Sequence, residues 1–322
     1  MMSLTNKSVL VTGGAGFIGS HLLDRLIREN PSNLVAVDNF FLGKESNLID
    51  AKTLYHDLKI FNQDASETGK MQKILEREKI EVIFNLAVIP LPTSLIRPRW
   101  VYEHNTDITM CCCELARKGI YKTLVHFSSS EAYGDLIYSP MDEKHPLNPT
   151  TPYGASKAAC DHLVLAYCRS FGIDASVLRP FNNYGPRQNE GSYAGVIPFT
   201  VKRIINGDEP VIYGDGEQTR DFLYVTETAE AAVQVYNNAS TRGKVLNVAS
   251  GKEITINNLV RLIAQYLSYD GNINYQQGRV GDLRRLGGSI DYAMKLIGFN
   301  PRVSLEKGLG LTIEWYKKVL SG

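Results

Sequence analysis

The stretch Thr12-Gly13-Gly14-Ala15-Gly16-Phe17-Ile18-Gly19 decides how the rest of the chain is read. The β-branched, apolar run Ser8–Gly13 leads into it and predicts a strand. Gly19–Arg28 follows with Leu22, Leu23, Leu26 and Ile27 at helical spacing. Glycines at 13, 16 and 19 between a strand and a helix allow a tight turn, close backbone approach to a pyrophosphate and close helix–strand packing. The helix that follows offers unpaired N–H groups and a partial positive charge to phosphates.

The pattern continues outward from the loop. Strands are predicted at Leu34–Phe40, Val82–Ala87, Thr123–Ser130 and Ala175–Phe181. Helices are predicted at Met71–Lys79, Asn105–Lys118 and Tyr153–Ser170. Strands alternating with helices predict a doubly wound parallel α/β sheet, Rossmann-like, with helices on both faces. Asp38 ends the second strand, where a carboxylate accepts the adenosine ribose hydroxyls and repels a 2′-phosphate, so NAD is the expected cofactor. After Phe181, glycine and proline become frequent and the segments shorten. This predicts an NAD-binding domain over 1–181 and a smaller, mixed α/β substrate domain over 182–322, interleaved with returns to the main sheet. Ser304–Leu320 reads as a closing amphipathic helix.

Composition narrows the function classes. Lys and Arg total 35 against 34 Asp and Glu, a net charge of +1 that gives no electrostatic footprint for nucleic acid or for a membrane surface. No window approaches a membrane-spanning apolar run, and the N-terminus enters a strand without a secretory signal pattern. The five cysteines (Cys111, Cys112, Cys113, Cys160 and Cys168) are an odd number in a large chain. They read as core thiols of a cytoplasmic protein rather than a disulfide framework. Cys111 to Cys113 are consecutive on a predicted helix and point in different directions, so no metal site is expected there.

Tyr153-Gly154-Ala155-Ser156-Lys157 places a phenol and an ammonium four residues apart on one helix face. A phenol becomes a useful base only when neighbouring positive charge favours its ionised form. The polar strand end Phe127-Ser128-Ser129-Ser130-Glu131-Ala132-Tyr133-Gly134 sits where parallel sheets bind ligands. Glu131 stands two residues after Ser129, on the same face of an extended strand.

Together with the glycine loop, these segments resemble the extended short-chain dehydrogenase/reductase family, in its nucleotide-sugar epimerase/dehydratase branch. The resemblance covers nearly the whole chain. It includes Arg179-Pro180-Phe181-Asn182-Asn183-Tyr184-Gly185-Pro186-Arg187-Gln188, Gly214–Phe222, and Gly278-Arg279-Val280-Gly281-Asp282. It implies catalytic roles for Ser129, Tyr153, Lys157 and Glu131. It implies NAD contacts from Gly13, Gly16, Phe17, Ile18, Gly19, Asp38, Asn39, Asp57, Leu58, Leu86, Ala87, Ser128, Tyr153 and Lys157. It implies nucleotide-sugar contacts, UDP-sugar favoured, from Ser130, Asn182, Arg187, Val196, Tyr213, Arg220 and Arg279, with Arg220 and Arg279 clamping the diphosphate. A homodimer built on the helices at Asn105–Lys118 and Tyr153–Ser170 is also implied.

Two departures from the family pattern stand out. Asn85-Leu86-Ala87-Val88 replaces a common His-Leu-Ala-Ala and is followed by the proline-stiffened Pro90-Leu91-Pro92. Glu131 resembles dehydratases and decarboxylases, whereas Gly191–Pro198 resembles a loop of some UDP-N-acetylhexosamine 4-epimerases. On Glu131, 4,6-dehydratase chemistry through a 4-keto sugar is the leading expectation. A 4-epimerase and then a uronate decarboxylase are the alternatives, and a non-catalytic NAD-binding regulator is disfavoured because Tyr153 and Lys157 are retained.

Overall fold

The computed structural model describes residues 2–190, 194–279 and 281–321. In the first half, strands β1 (Ser8–Thr12), β2 (Asn33–Asp38), β3 (Lys59–Asn62), β4 (Val82–Asn85), β5 (Thr123–Phe127) and β6 (Asp174–Pro180) alternate with helices. Those helices are α1 (Phe17–Ile27), α2 (Ile49–Leu54), α3 (Thr68–Arg77), α4 (Leu91–Ser94), α5 (Pro98–Arg117) and α6 (Pro152–Phe171). The second half holds strands β7 (Asn182–Tyr184), β8 (Val211–Tyr213), β9 (Thr219–Tyr224), β10 (Val245–Val248), β11 (Glu253–Thr255), β12 (Asn274–Gln276) and β13 (Arg285–Leu286). Its helices are α7 (Val196–Ile205), α8 (Val225–Asn237), α9 (Ile256–Tyr266), α10 (Asp291–Ile297) and α11 (Leu305–Ser321).

The main sheet has seven strands in the order β10-β6-β5-β4-β1-β2-β3, and every pairing in it is parallel. Strand order reverses between β1 and β4, which opens a crevice at their carboxyl ends. Because strand side chains alternate, Val9 and Val11 join one core while Leu10 joins the other, and Leu34 and Ala36 separate from Val35 and Val37 in the same way. The first core packs against Leu22, Leu23 and Leu26 of α1 and Ala231, Ala232 and Val235 of α8. The second takes Leu75 of α3, Cys111 to Cys113 and Leu115 of α5, and Val164 of α6. The three consecutive cysteines are therefore buried thiols, and no metal-binding cluster occurs among the described residues.

The edge strand β10 and the covering helix α8 come from the second half of the chain, so the main sheet is completed only after an excursion. A separate core forms from α7 of that excursion together with α9 and α11, which follow β10, around Val201, Leu259, Val260, Ile263, Leu309 and Ile313. β9 lies at the centre of its small sheet, parallel to β7 and β13 and antiparallel to β11. Among the described residues no helix is long and apolar enough to cross a membrane.

Several elements depart from expectation. The strand expected over Thr123–Ser130 ends at Phe127, and Ser130–Ala132 form a 3₁₀ turn capped by Ser129, so Glu131 does not share an extended face with Ser129. α5 begins at Pro98, seven residues before the predicted Asn105, with proline in the first helical turn, where its missing N–H costs nothing. β3 was not predicted, because Lys59–Asn62 is short and largely exposed and carries no apolar alternation.

Candidate active site

The crevice is a cavity of about 320 Å³ at the carboxyl ends of β1, β2, β4 and β5. Gly13 adopts φ +67°, and a methyl group there would lie 2.9 Å from the Ala87 nitrogen. A methyl on Gly19 would lie 2.1 Å from the Gly13 carbonyl oxygen, so α1 can approach the loop only without a side chain there. Gly16 caps α1 with no side-chain hydrogen bond, leaving the helix N-terminus open toward the cavity that Gly16, Phe17, Ile18 and Gly19 line. On the opposite wall, Thr12 Oγ1 accepts from the nitrogens of Leu86 (3.1 Å) and Ala87 (3.2 Å) and donates to Asn85 Oδ1 (2.7 Å).

Asp38 is buried at the end of β2. Its Oδ2 accepts from the Ala15 nitrogen at 2.9 Å and its Oδ1 from the Phe40 nitrogen at 2.8 Å. Burial pushes its carboxyl above the usual range, and backbone N–H donors of Phe40, Ala15 and Gly16 oppose that rise. An open helix N-terminus, glycines that leave no room for a Cβ and a buried carboxylate beside them fit a dinucleotide: pyrophosphate at α1, adenosine ribose at Asp38.

Ser128, Ser129, Tyr153 and Lys157 reach the same cavity from the other side. Thr151 caps α6 by accepting from the Gly154 nitrogen at 3.0 Å, which fixes the helix start immediately before Tyr153. Lys157 Nζ donates to the Phe127 carbonyl at 2.8 Å. Burial lowers its pKa, while Cys160 and Asp161 raise it. Burial likewise pushes the Tyr153 phenol upward, and a hydrogen-bond interaction with Ser129 works the other way.

A second cavity of about 260 Å³ lies in the smaller unit and holds Asn182, Val196, Tyr213, Arg220 and Arg279. Asn183 and Gln188 line both cavities and mark where they meet. The Arg279 guanidinium stacks 3.9 Å from the Tyr213 ring centroid, and Arg220 pairs with Asp282. The Asn182 side-chain nitrogen is buried without a partner, a donor left for a ligand.

Five expected residues stand elsewhere. Asp57 and Leu58 precede β3, at its amino end, and Leu58 packs on the core; the residues at the carboxyl end that line the first cavity are Gln63, Asp64 and Ala65. Arg187 is held by Asp24 of α1 at 2.7 Å and by Asp50 of α2, so its guanidinium is committed to joining elements. Ser130 is buried outside both cavities. Glu131 is partly buried and lines neither cavity; burial raises its carboxyl, Arg220 lowers it and Asp282 raises it further. Gly191, Ser192 and Tyr193 of the epimerase-like loop, and Val280, lie outside the described residues. Sequence reasoning missed Asp64, which accepts from Asn39 Nδ2 at 3.1 Å and faces His104 Nε2 at 3.2 Å. The available signal was an acidic residue just past a strand end, as at Asp38.

Comparison with known proteins matches this geometry. The sequence pattern of the NAD dependent epimerase/dehydratase family matches residues 9–249. A putative UDP-glucose 4-epimerase of Methanocaldococcus jannaschii is 35% identical, over 96% of this chain and 98% of that protein. The crystal structure of a UDP-glucose 4-epimerase from Thermotoga maritima with UDP-glucose superposes with a TM-score of 0.91 at 32% identity, covering 97% of this chain and 99% of that one. The dTDP-glucose 4,6-dehydratase DesIV of Streptomyces venezuelae, solved with NAD bound, has a TM-score of 0.91 at 27% identity and covers 97% of each chain. With its dinucleotide cradle, its Tyr153–Lys157 helix and a match running through both units, the chain belongs to the NAD-dependent epimerase/dehydratase family of nucleotide-sugar enzymes.

Proposed function

We propose that this enzyme interconverts the C4 epimers of a UDP-sugar. One observation carries the choice over dehydration: Glu131 is the only carboxyl group between Phe127 and Gly134, one where an elimination calls for two acid–base groups. A 4,6-elimination needs a base at C5 and an acid at the departing C6 oxygen. The strand end otherwise offers only hydroxyls, those of Ser128, Ser129, Ser130 and Tyr133. Epimerisation asks for proton transfer at the C4 oxygen alone. The similarity to UDP-glucose 4-epimerases supports the same reading.

Bound NAD supplies a reversible acceptor for the C4 hydrogen. Tyr153 is the proton acceptor for the C4 hydroxyl, Ser129 orients that hydroxyl, and the Lys157 charge favours the phenolate. In the second cavity Arg220 and Arg279 hold the diphosphate, Asn182 donates to it, and Tyr213 presents a ring to the base. The reading includes a homodimer and a reducing, cytoplasmic setting for the five free cysteines.

The test is a panel of UDP-sugars analysed by mass and by sugar-ring NMR. An unchanged mass with inverted C4 is expected; loss of water would restore the dehydratase and loss of CO2 the decarboxylase. Tyr153→Phe should lower kcat by about 10²–10⁴-fold while calorimetry on cofactor-stripped protein shows NAD affinity retained. Activity within tenfold of wild type would mean that another group is the base.

A further inference from the structure

Beyond Asp38 the first cavity is walled by residues from three separate elements: Asn39 and Phe41 after β2, Asp64 after β3, and His104 of α5. A dinucleotide with its pyrophosphate at α1 and its ribose at Asp38 projects its adenine toward this end. The wall is a closed circuit of contacts. Asn39 Nδ2 donates to Asp64 Oδ2 at 3.1 Å, and His104 Nε2 stands 3.2 Å from the same oxygen. The centroid of the His104 ring lies 5.5 Å from that of Trp100, and Trp100 meets Phe41 edge-on, with centroids 5.8 Å apart at 63°. The Phe41 nitrogen donates to Asn39 Oδ1 at 3.0 Å, which returns the circuit to its start.

Most links of this circuit are anchored. Asp64 Oδ1 accepts from Ser66 N at 2.9 Å and from Ser66 Oγ at 2.7 Å. With Asn39 and His104 on Oδ2, the carboxylate's roughly four acceptor positions are taken, so Asp64 is committed to the wall rather than to a ligand. Arg97, Trp100 and His104 fall three and four residues apart on one face at the start of α5, and the Arg97 guanidinium lies 4.3 Å from the Trp100 ring centroid. The two ends of the loop after β2 are tied as well. Phe40 N donates to Asp38 Oδ1 at 2.8 Å, and Lys44 N to the Ala15 carbonyl at 3.0 Å. The Phe41–Trp100 link differs from these: it joins two rings edge-on, and Phe41 is 41% exposed. An edge contact at an exposed rim is the one that opens with least loss.

We propose that this circuit is a latch over the adenosine end of the cofactor, opened at the Phe41–Trp100 contact, and that it sets how long NAD stays on the enzyme between turnovers. A cycle that returns the hydride to the sugar regenerates NAD in place, so nothing in it calls for cofactor exchange, and a slowly opening wall keeps the site loaded. The inference rests on the cofactor and not on which reaction follows the 4-keto sugar, so it stands whether or not the product is a C4 epimer. Trp100 is the discriminating position. It stands behind the wall and does not line the cavity, so a change there reaches the cofactor only through the circuit.

The test uses stripped protein reloaded with NADH, whose fluorescence reports occupancy, in stopped-flow uptake and in a chase with excess NAD. Phe41→Ala and Trp100→Ala should each release NADH about tenfold faster, and each should take it up faster as well, because a latch slows passage in both directions. The double variant should be no faster than either single one, since the two residues make one contact. Phe41→Tyr keeps the ring and should keep the wild-type rates. Arg99→Ala, on the same helical turn but paired with Glu103 at the surface, should keep them too. Phe41 stands at the rim, so its truncation spares the core and decides the matter alone if Trp100→Ala does not fold. Wild-type release in the alanine variants, faster release with unchanged uptake, effects that multiply in the double variant, or an equal acceleration in Arg99→Ala would each overturn the proposal.

Discussion

Asp38 holds the sharpest constraint that a single side chain places on this enzyme. Backbone nitrogens of Ala15 and Phe40, with Gly16 beside them, take part of its acceptor capacity, and a carboxylate has about four acceptor positions, so capacity remains for a ribose hydroxyl. An esterified hydroxyl would instead set a phosphate against a buried anion. Calorimetry on stripped wild-type protein should therefore show NAD binding far ahead of NADP. Asp38→Asn keeps the shape and most of the acceptor geometry, and it should narrow that preference by about tenfold or more. An unchanged ratio would place discrimination elsewhere. Asp38 was legible in the sequence because a long buried strand leads straight to it. Asp64, which lines the first cavity just past the next strand, was not, because Lys59–Asn62 is too short and too exposed to announce a strand; the expectation fell on Asp57 and Leu58, at its amino end. Arg187 was legible as an arginine in a family motif, but nothing local reveals that Asp24 and Asp50, far off in sequence, neutralise it.

The proline-stiffened segment after β4 becomes intelligible once α5 is seen to start at Pro98. Pro90 caps the short helix α4, and the segment is held from beneath by Asn105. Asn105 Oδ1 accepts from the Ile89 nitrogen at 2.8 Å, and its Nδ2 donates to the Ile89 carbonyl at 3.1 Å and to Ser156 Oγ at 3.1 Å. One buried amide thus ties the cavity wall at Val88 and Ile89 to both α5 and α6. Asn105→Ala would strand the backbone N–H and C=O of Ile89, at about 1–3 kcal/mol for each buried group left unpaired. A lower melting temperature together with weaker NAD binding is expected. A lower melting temperature with NAD affinity intact would make the tie structural only. The core strands and the helices that follow the loop could be read from periodicity, because each buries one clean face. The junction elements could not, since their order comes from contacts such as this one, between residues with no pattern in common.

At the scale of the molecule, α5 and α6 pack together on one side of the sheet and leave Tyr102, Met110 and Phe171 exposed on their outer surface. A homodimer formed through that surface should give a light-scattering mass near twice 35.9 kDa, and Met110→Glu combined with Tyr102→Asp should yield a monomer that still binds NAD. A mass of 35.9 kDa for the wild type at micromolar concentration would refute the pairing. The threading of β10 has a further consequence, for the order in which the protein can come into being. β6 lacks its outer neighbour until Val245–Val248 has been made, and the intervening chain supplies β7, α7, β8, β9 and α8 first. During synthesis the nucleotide-binding layer therefore waits with an open, apolar strand edge, and closing it requires a long loop whose entropy is lost before the pairing rewards it. In a ribosome-stalled chain ending before β10 the amides of β6 should exchange freely along that edge, whereas in one extended past Val248 they should be protected.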